Sequence, residues 1–348
     1  MEMLECGYAS VGEFHSVHHQ SGGQNYENIA ETSCRIINAA QKTGIGLTYL
    51  PVFYMQGGLN GKKLAEGQLR FGNELEQYLR ILDQTQNSLR NAPKDYLLGM
   101  APHSLRAVSP EFLKEIVEAR SSDTVRIHIA EQLKEVEEIQ THFDARPVEW
   151  LLNNIAVDSR WCLIHATHMT QEETQNLAKS GAIVGLCPIT EANLGDGVFD
   201  GTELLLSGGK YGIGYDSNVR ISLTEELRLL EYSQRLVRKE RNVMTSKTGS
   251  VDRALYDDSL TGGAQALARK SGSIVPGNWA DLLTLDAEAL TLSGCTEDEI
   301  LDRWIFSGDD SLVREVWSAG RQMVADGQHI RHEEIELKYR SVIQEIRQ

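Results

Sequence analysis

The sequence predicts an α/β protein built on a TIM-like (β/α)8 barrel, and three observations predict it. Strand-length apolar runs alternate with amphipathic helical runs from about residue 9 to residue 270. Seven of the ten histidines fall at or just after the ends of those strand runs, which is where a parallel barrel gathers its functional residues. The chain is 348 residues long, enough for one barrel of about 250 residues and a small appendage. The alternative, an open seven-stranded doubly wound sheet, leaves so many polar strand ends unexplained.

The stretch Thr124 to Glu131, TVRIHIAE, shows the local logic. Val125, Ile127 and Ile129 alternate with Arg126, His128 and Ala130, so one strand face is aliphatic and the other carries an imidazole near its C-terminal end. Strands are expected at 9–14, 45–53, 96–103, 124–130, 161–168, 182–188 and 211–217. Helices are expected between them, including 26–42, 223–239 and 253–270, with TEANLGDGVFDG as a long loop or lid. Residues 1–272 form the barrel on this reading. Residues 273–335 alternate apolar residues around glycine turns, as short antiparallel strands do, and are expected to be part of a small β-sandwich; 336–348 form a C-terminal helix. Seven barrel strands are one fewer than eight, and MEMLECG reads as the end of a helix, so the expectation is that the first barrel strand is missing from this chain.

Hydrophobic residues make up 41% and charged residues 24%, ordinary globular values. No apolar run approaches the roughly 18 residues of a membrane span, and the start lacks a basic segment followed by an apolar one, so neither membrane insertion nor secretion is expected. Cys6, Cys34, Cys162, Cys187 and Cys295 are odd in number and lack C-x-x-C spacing, which suits reduced thiols in the cytoplasm. A net charge of −16 repels nucleic acid and anionic membrane.

The polar residues at the predicted strand tips are His15, His18, His19, His103, Arg106, His128, Glu131, His165, His168, Asp216 and Asn218. Several histidines and an aspartate converging on one barrel mouth suit a divalent metal. Each residue also has a plain structural reading. A single histidine on a strand is more often a packing residue, His18-His19 reads as a solvated loop, Arg106 as a surface arginine at a helix start, and Asp216-Ser217-Asn218 as a turn or cap.

The motifs H-x-x-E at His128–Glu131, LIHATHM ending β-like at His165, GIGYDSN around Asp216, and PGNWADLLTLD with VWSAGRQMVADG resemble the deaminase branch of the amidohydrolase superfamily. EFHSVHH, APHSLRAVS, HIAEQ and LCPITEANLGDGVFDG resemble, within it, the formimidoylglutamate deiminase family of histidine degradation. The resemblance spans residues 1 to about 330. It implies hydrolytic deamination of N-formimidoyl-L-glutamate to N-formyl-L-glutamate and ammonia, a small anionic substrate, a homodimer, and one divalent metal, usually zinc. His128 and Asp216 match two metal ligands; the other two belong to an H-x-H pair that this chain lacks. By the same resemblance Glu131 and Asp216 carry protons, His103, Arg106 and His165 bind the substrate, and Arg106 pairs with its carboxylate. Ser16 stands where the family has a tyrosine, and Tyr215 replaces a small residue. With two of four protein ligands, weak catalysis is expected. The rival readings are an aminohydrolase for a nucleobase or triazine, which needs no carboxylate-binding arginine, and a metal-free fragment without activity.

Overall fold

The computed structural model describes residues 1–245 and 250–347. After a short helix α1 (Glu2–Glu5), strand β1 (Ser10–His15) runs parallel to β2 (Gly46–Phe53), pairing Ser10 with Gly46 and His15 with Pro51. Helix α2 (Glu31–Thr43) joins them. It begins at Glu31 rather than 26, because the Asn28 side chain accepts the Ala30 N–H and turns the chain first. It ends at Gly44, whose φ of 72° gives the left-handed cap that a residue with a Cβ resists.

The run expected as one strand, 96–103, forms two short pieces after helix α3 (Leu75–Leu89), β3 (Leu97–Leu98) and β4 (Ala101–Pro102). Both pair with β2. Between them Met100 turns to the other neighbour, its N–H donating to Thr124 O and its residue bridging Val125. The ladder therefore passes from β2 to β5 (Val125–Ile129); Pro102 has no N–H to give, and His103 resumes the pairing by donating to Phe53 O and accepting from the His128 N–H. From β5 the parallel order continues to β6 (Trp161–His165), β7 (Ile183–Leu186) and β8 (Lys210–Ile213). Helices α4 (Pro110–Ala119), α5 (Leu133–Phe143), α6 (Pro147–Asn154) and α7 (Gln171–Ser180) fill the crossovers. Among the described residues β1 pairs with β2 and β8 with β7, and β1 and β8 do not pair with each other. The barrel wall is an arc with a gap there.

The segment expected as a loop, TEANLGDGVFDG, is partly helical. Pro188 opens α8 (Pro188–Leu194) and Asp200 caps α9 (Gly201–Leu206) by accepting the Glu203 N–H. Helix α10 (Leu223–Arg238) is capped by Ser222, and α11 (Val251–Ala266) by Ser250. Helix α11 lies against β8 so closely that a Cβ on Gly262 would fall 1.7 Å from the Tyr211 carbonyl oxygen.

The C-terminal part forms an antiparallel sheet in the order β12 (Gln328–His329), β11 (Arg321–Ala325), β10 (Val313–Ser318), β9 (Leu282–Leu285), with α12 (Glu299–Asp302) between β9 and β10 in the chain. Helix α13 starts at His332 rather than 336 and runs to Ile346; Gln348 of the expected helix lies outside the described residues. Leu4, Trp161, Trp304, Tyr49 and Tyr211 are buried in one continuous core. The sheet is tied to the barrel by buried charges: Arg269 Nε donates to Asp281 at 2.7 Å and its Nη1 to Asp95 at 3.1 Å, while Arg321 donates to both Asp95 oxygens at 2.9 and 2.8 Å.

Candidate active site

On β5 the residues Val125, Ile127 and Ile129 are fully buried toward the helices. Arg126 and His128 therefore face the barrel lumen, a cavity of about 540 Å3 also lined by Phe14, Ile164, Asp216 and Asn218. His128 and Asp216 thus share one cavity at the C-terminal ends of the strands. The chain turns sharply at these tips. Ala130 (φ 50°), His165 (66°), Ala166 (48°), Asp216 (44°) and Asn218 (54°) all adopt left-handed backbone, a strain that non-glycine residues carry where surrounding structure holds them, often at functional sites.

Three imidazoles stand side by side. The His128 ring centre is 5.2 Å from that of His103 and 5.4 Å from that of His165, with the Phe14 ring edge-on at 4.4 Å. The His128 Nδ1–H donates to the His103 carbonyl at 3.3 Å, which leaves Nε2 with its lone pair toward the lumen. Burial, reinforced by the neighbouring imidazoles, pushes His128 well below its ordinary pKa, and burial with the Arg106 charge brings His103 down to about 4. Both rings are neutral near pH 7.

His165 behaves in the opposite way. It is fully buried, its Nδ1 donates to Glu191 Oε1 at 3.2 Å, and its Nε2 lies 3.8 Å from Glu131 Oε1 with no hydrogen-bond partner. Burial works against the charged ring, but the Glu191 hydrogen bond and charge, joined by Glu131 and Asp216, outweigh it and raise the pKa. Glu131 and Asp216 are themselves raised, chiefly by burial. An imidazole whose proton is held more firmly, facing carboxyls whose proton affinity is also raised, is an arrangement suited to passing protons.

Arg106 reaches the same mouth. Its Nη2 lies 3.8 Å from Glu135 Oε2, its Nε is buried without a partner, and its charge acts on His103, His128 and Glu131. It is not a free surface arginine. Glu135 also accepts the Glu131 N–H at 3.0 Å and so fixes where Glu131 stands.

The remaining histidines do not join the group. His18 and His19 are buried rather than solvated: the loop folds back so that His18 Nε2 meets Val52 O at 2.9 Å and His19 Nε2 meets Gly72 O at 2.9 Å. His15 Nε2 donates to Val17 O, and His168 Nε2 to Asp196 O at 2.7 Å. Sequence reasoning missed Glu191, which holds both His165 and the Cys187 N–H, and Glu135. The signal for Glu191 is Pro-x-x-Glu straight after a strand, a helix start in the first turn of which a carboxylate faces back to the strand tip.

Among the described residues no three His, Cys, Asp or Glu side chains gather as a group able to hold a metal ion. His128 and Asp216 are two donors, whereas zinc sites use three or four protein ligands. These residues alone do not complete such a site. Similarly, no helix among the described residues is long and apolar enough to cross a membrane.

Comparison with known proteins agrees with the geometry. The chain is 48% identical over 331 residues, 94% of its length and 73% of the relative's, to formimidoylglutamate deiminase of Pseudomonas aeruginosa. The crystal structure of an amidohydrolase from Brucella melitensis superposes with a TM-score of 0.95 at 45% identity, covering 100% of this chain and 77% of that one. A zinc-bound adenosine deaminase from Xanthomonas campestris shares the fold, with a TM-score of 0.76 at 20% identity over 93% of this chain and 70% of that one. The profile of the Amidohydrolase family matches residues 1–323, and the chain, a barrel-borne hydrolase of the deaminase type, belongs to that family.

Proposed function

We propose that this chain acts on N-formimidoyl-L-glutamate, releasing ammonia and leaving N-formyl-L-glutamate. The observation that carries the reading is the half-buried Arg106 guanidinium, its Nε buried without a partner, beside the His103–His128–His165–Glu131 group. A planar cation with unpaired N–H groups at the edge of a proton-passing cluster suits a carboxylate on one end of a substrate whose other end is hydrolysed. The 48% identity to the Pseudomonas deiminase supports it.

In the reaction a water oxygen bonds to the formimidoyl carbon, the bond from that carbon to the terminal nitrogen breaks, and both water protons end on the departing nitrogen. Asp216, basic through its raised pKa, takes a proton from the water. Glu131 delivers protons to the nitrogen, so that ammonia leaves rather than an amide anion. His165, held by Glu191, donates a hydrogen bond to the oxygen as charge builds on it. A divalent ion such as the zinc of the Xanthomonas enzyme would find only His128 and Asp216 here, so no step is assigned to it.

The nucleobase or triazine reading, free or as the nucleoside, is separated by substrate. Ammonia release from N-formimidoyl-L-glutamate with zinc supplied, together with calorimetric binding of N-formyl-L-glutamate, is the test. Binding of the glutamate derivative, with adenosine inert, is expected. Deamination of adenosine, or neither binding nor release with the glutamate derivatives, overturns the assignment.

A further inference from the structure

Arg126 precedes His128 by two residues on β5, so its side chain enters the same lumen roughly 7 Å deeper. Only 4% of the residue is exposed. Nη1 donates to Thr124 Oγ1 at 3.3 Å, and Nη2 is buried with no hydrogen-bond partner. Among the described residues no carboxylate forms an ion pair with it, and the one titratable group whose field reaches it is the Cys162 thiol. A Cβ on Gly12 would lie 3.6 Å from Arg126 Nε, which places the guanidinium against β1. Gly12 on β1 and Cys162 on β6 stand next to it, and Gly185, Gly212 and Ala266 line the same cavity, small residues that carry no negative charge.

A buried cation with an unused N–H and no counter-charge is costly, and the cost falls sharply when an anion meets it. The guanidinium edge presents its N–H groups in a plane suited to a halide or a carboxylate. The same cavity is also lined by Glu2, Glu13 and Asp216, none of which pairs with Arg126 and whose field disfavours multivalent anions. We propose that the barrel lumen holds a small monovalent anion, a halide or a short carboxylate such as formate, on the Nη2 edge of Arg126, deeper than the His128–Glu131 group and separate from it. The site does not depend on which substrate the mouth takes.

Two measurements on the whole chain test this. Crystals grown in sodium bromide are examined for an anomalous peak in contact with Arg126 Nη2, and crystals grown in formate for planar density there. Thermal melts are then compared in bromide, formate and gluconate at equal ionic strength, gluconate being too bulky to seat against the guanidinium. A saturating rise in Tm of about 2–4 °C in bromide or formate over gluconate is expected, and Arg126→Met should abolish it. Which of the two salts acts identifies the anion. Equal shifts in all three salts, the same selective shift in Arg126→Met, or water alone at Nη2 in both crystals overturns the proposal. If Arg126→Met does not fold, the crystals and the salt comparison on the unaltered chain decide it.

Discussion

At the scale of single residues, the site works through how burial and charge divide protons among neighbours. Arg106 is the group that distinguishes an anionic substrate. Removing it leaves a carboxylate desolvated without a partner, which for a truncated charge pair costs about 2–5 kcal/mol. Arg106→Met should therefore weaken N-formyl-L-glutamate binding by about thirtyfold or more in calorimetry; unchanged affinity places Arg106 outside the pocket. Glu226 shows a purely structural side of the same physics. It is fully buried, accepts the Ile189 N–H at 2.9 Å, and burial raises its pKa from 4.5 to about 9. The folded state holds this proton more tightly than the unfolded chain does, so the contribution to stability is complete below about pH 4.5 and lost as pH rises toward 9. Glu226→Gln keeps an acceptor for Ile189 and has no proton to lose. It should raise Tm by a few degrees at pH 8 and much less at pH 5; an equal gain at both would mean that Glu226 is not the titrating group.

At the scale of elements, the position of the strand tips depends on how closely α11 seats on β8. The two glycines Gly262 and Gly263 are adjacent in sequence and opposite in environment. A Cβ at 262 would strike the Tyr211 carbonyl at 1.7 Å, whereas one at 263 meets nothing within 4 Å. Gly262→Ala must push the helix off the strand and should cost about 3 kcal/mol or more. Gly263→Ala removes only backbone freedom within a helix and should stabilise by roughly 0.5–1 kcal/mol. Urea titrations of the two variants check this, and similar midpoints would show that the helix can slide. Helix α8 matters for a different reason. Its Glu191 spans from Cys187 N–H to His165 Nδ1, so a helix of seven residues sets the charge of a histidine on another strand.

At the scale of the molecule, the barrel and the small sheet act as one unit because Asp95 binds Arg269 and Arg321 together while Asp281 holds the other side of Arg269. Asp95→Ala leaves the buried Arg269 with Asp281 alone and takes both hydrogen bonds from Arg321, and should cost about 2–3 kcal/mol; a loss under 1 kcal/mol would mean that water replaces the carboxylate. The gap between β1 and β8 opens on the lumen that the two donors, His128 and Asp216, line. Fusing a strand bearing H-x-H ahead of Met1 would supply two further imidazoles, and four ligands hold zinc where two do not. The fused protein should bind zinc stoichiometrically and release ammonia about 10² times faster or more, since a bound ion supplies hydroxide at neutral pH. Equal metal content and turnover in the two proteins would show that the histidines already present build a site.

Periodicity and residue type alone determined the alternation of strands and helices, the placement of His128, His165 and Asp216 at strand ends, and the antiparallel character of the C-terminal sheet. These follow from local rules, because a two-residue period fixes which face of TVRIHIAE carries His128 whatever surrounds it. The grouping with known deaminases came from motifs in order, with no geometry needed. Only the tertiary structure decided that Glu191 and Glu135 hold the site, that His18 and His19 are buried and apart from it, and that Arg126 stands in the lumen without a counter-charge. Each of those facts depends on contacts between residues far apart in the chain. Burial and partnership set the charge of a histidine or an arginine, and neither is written in its neighbours along the sequence.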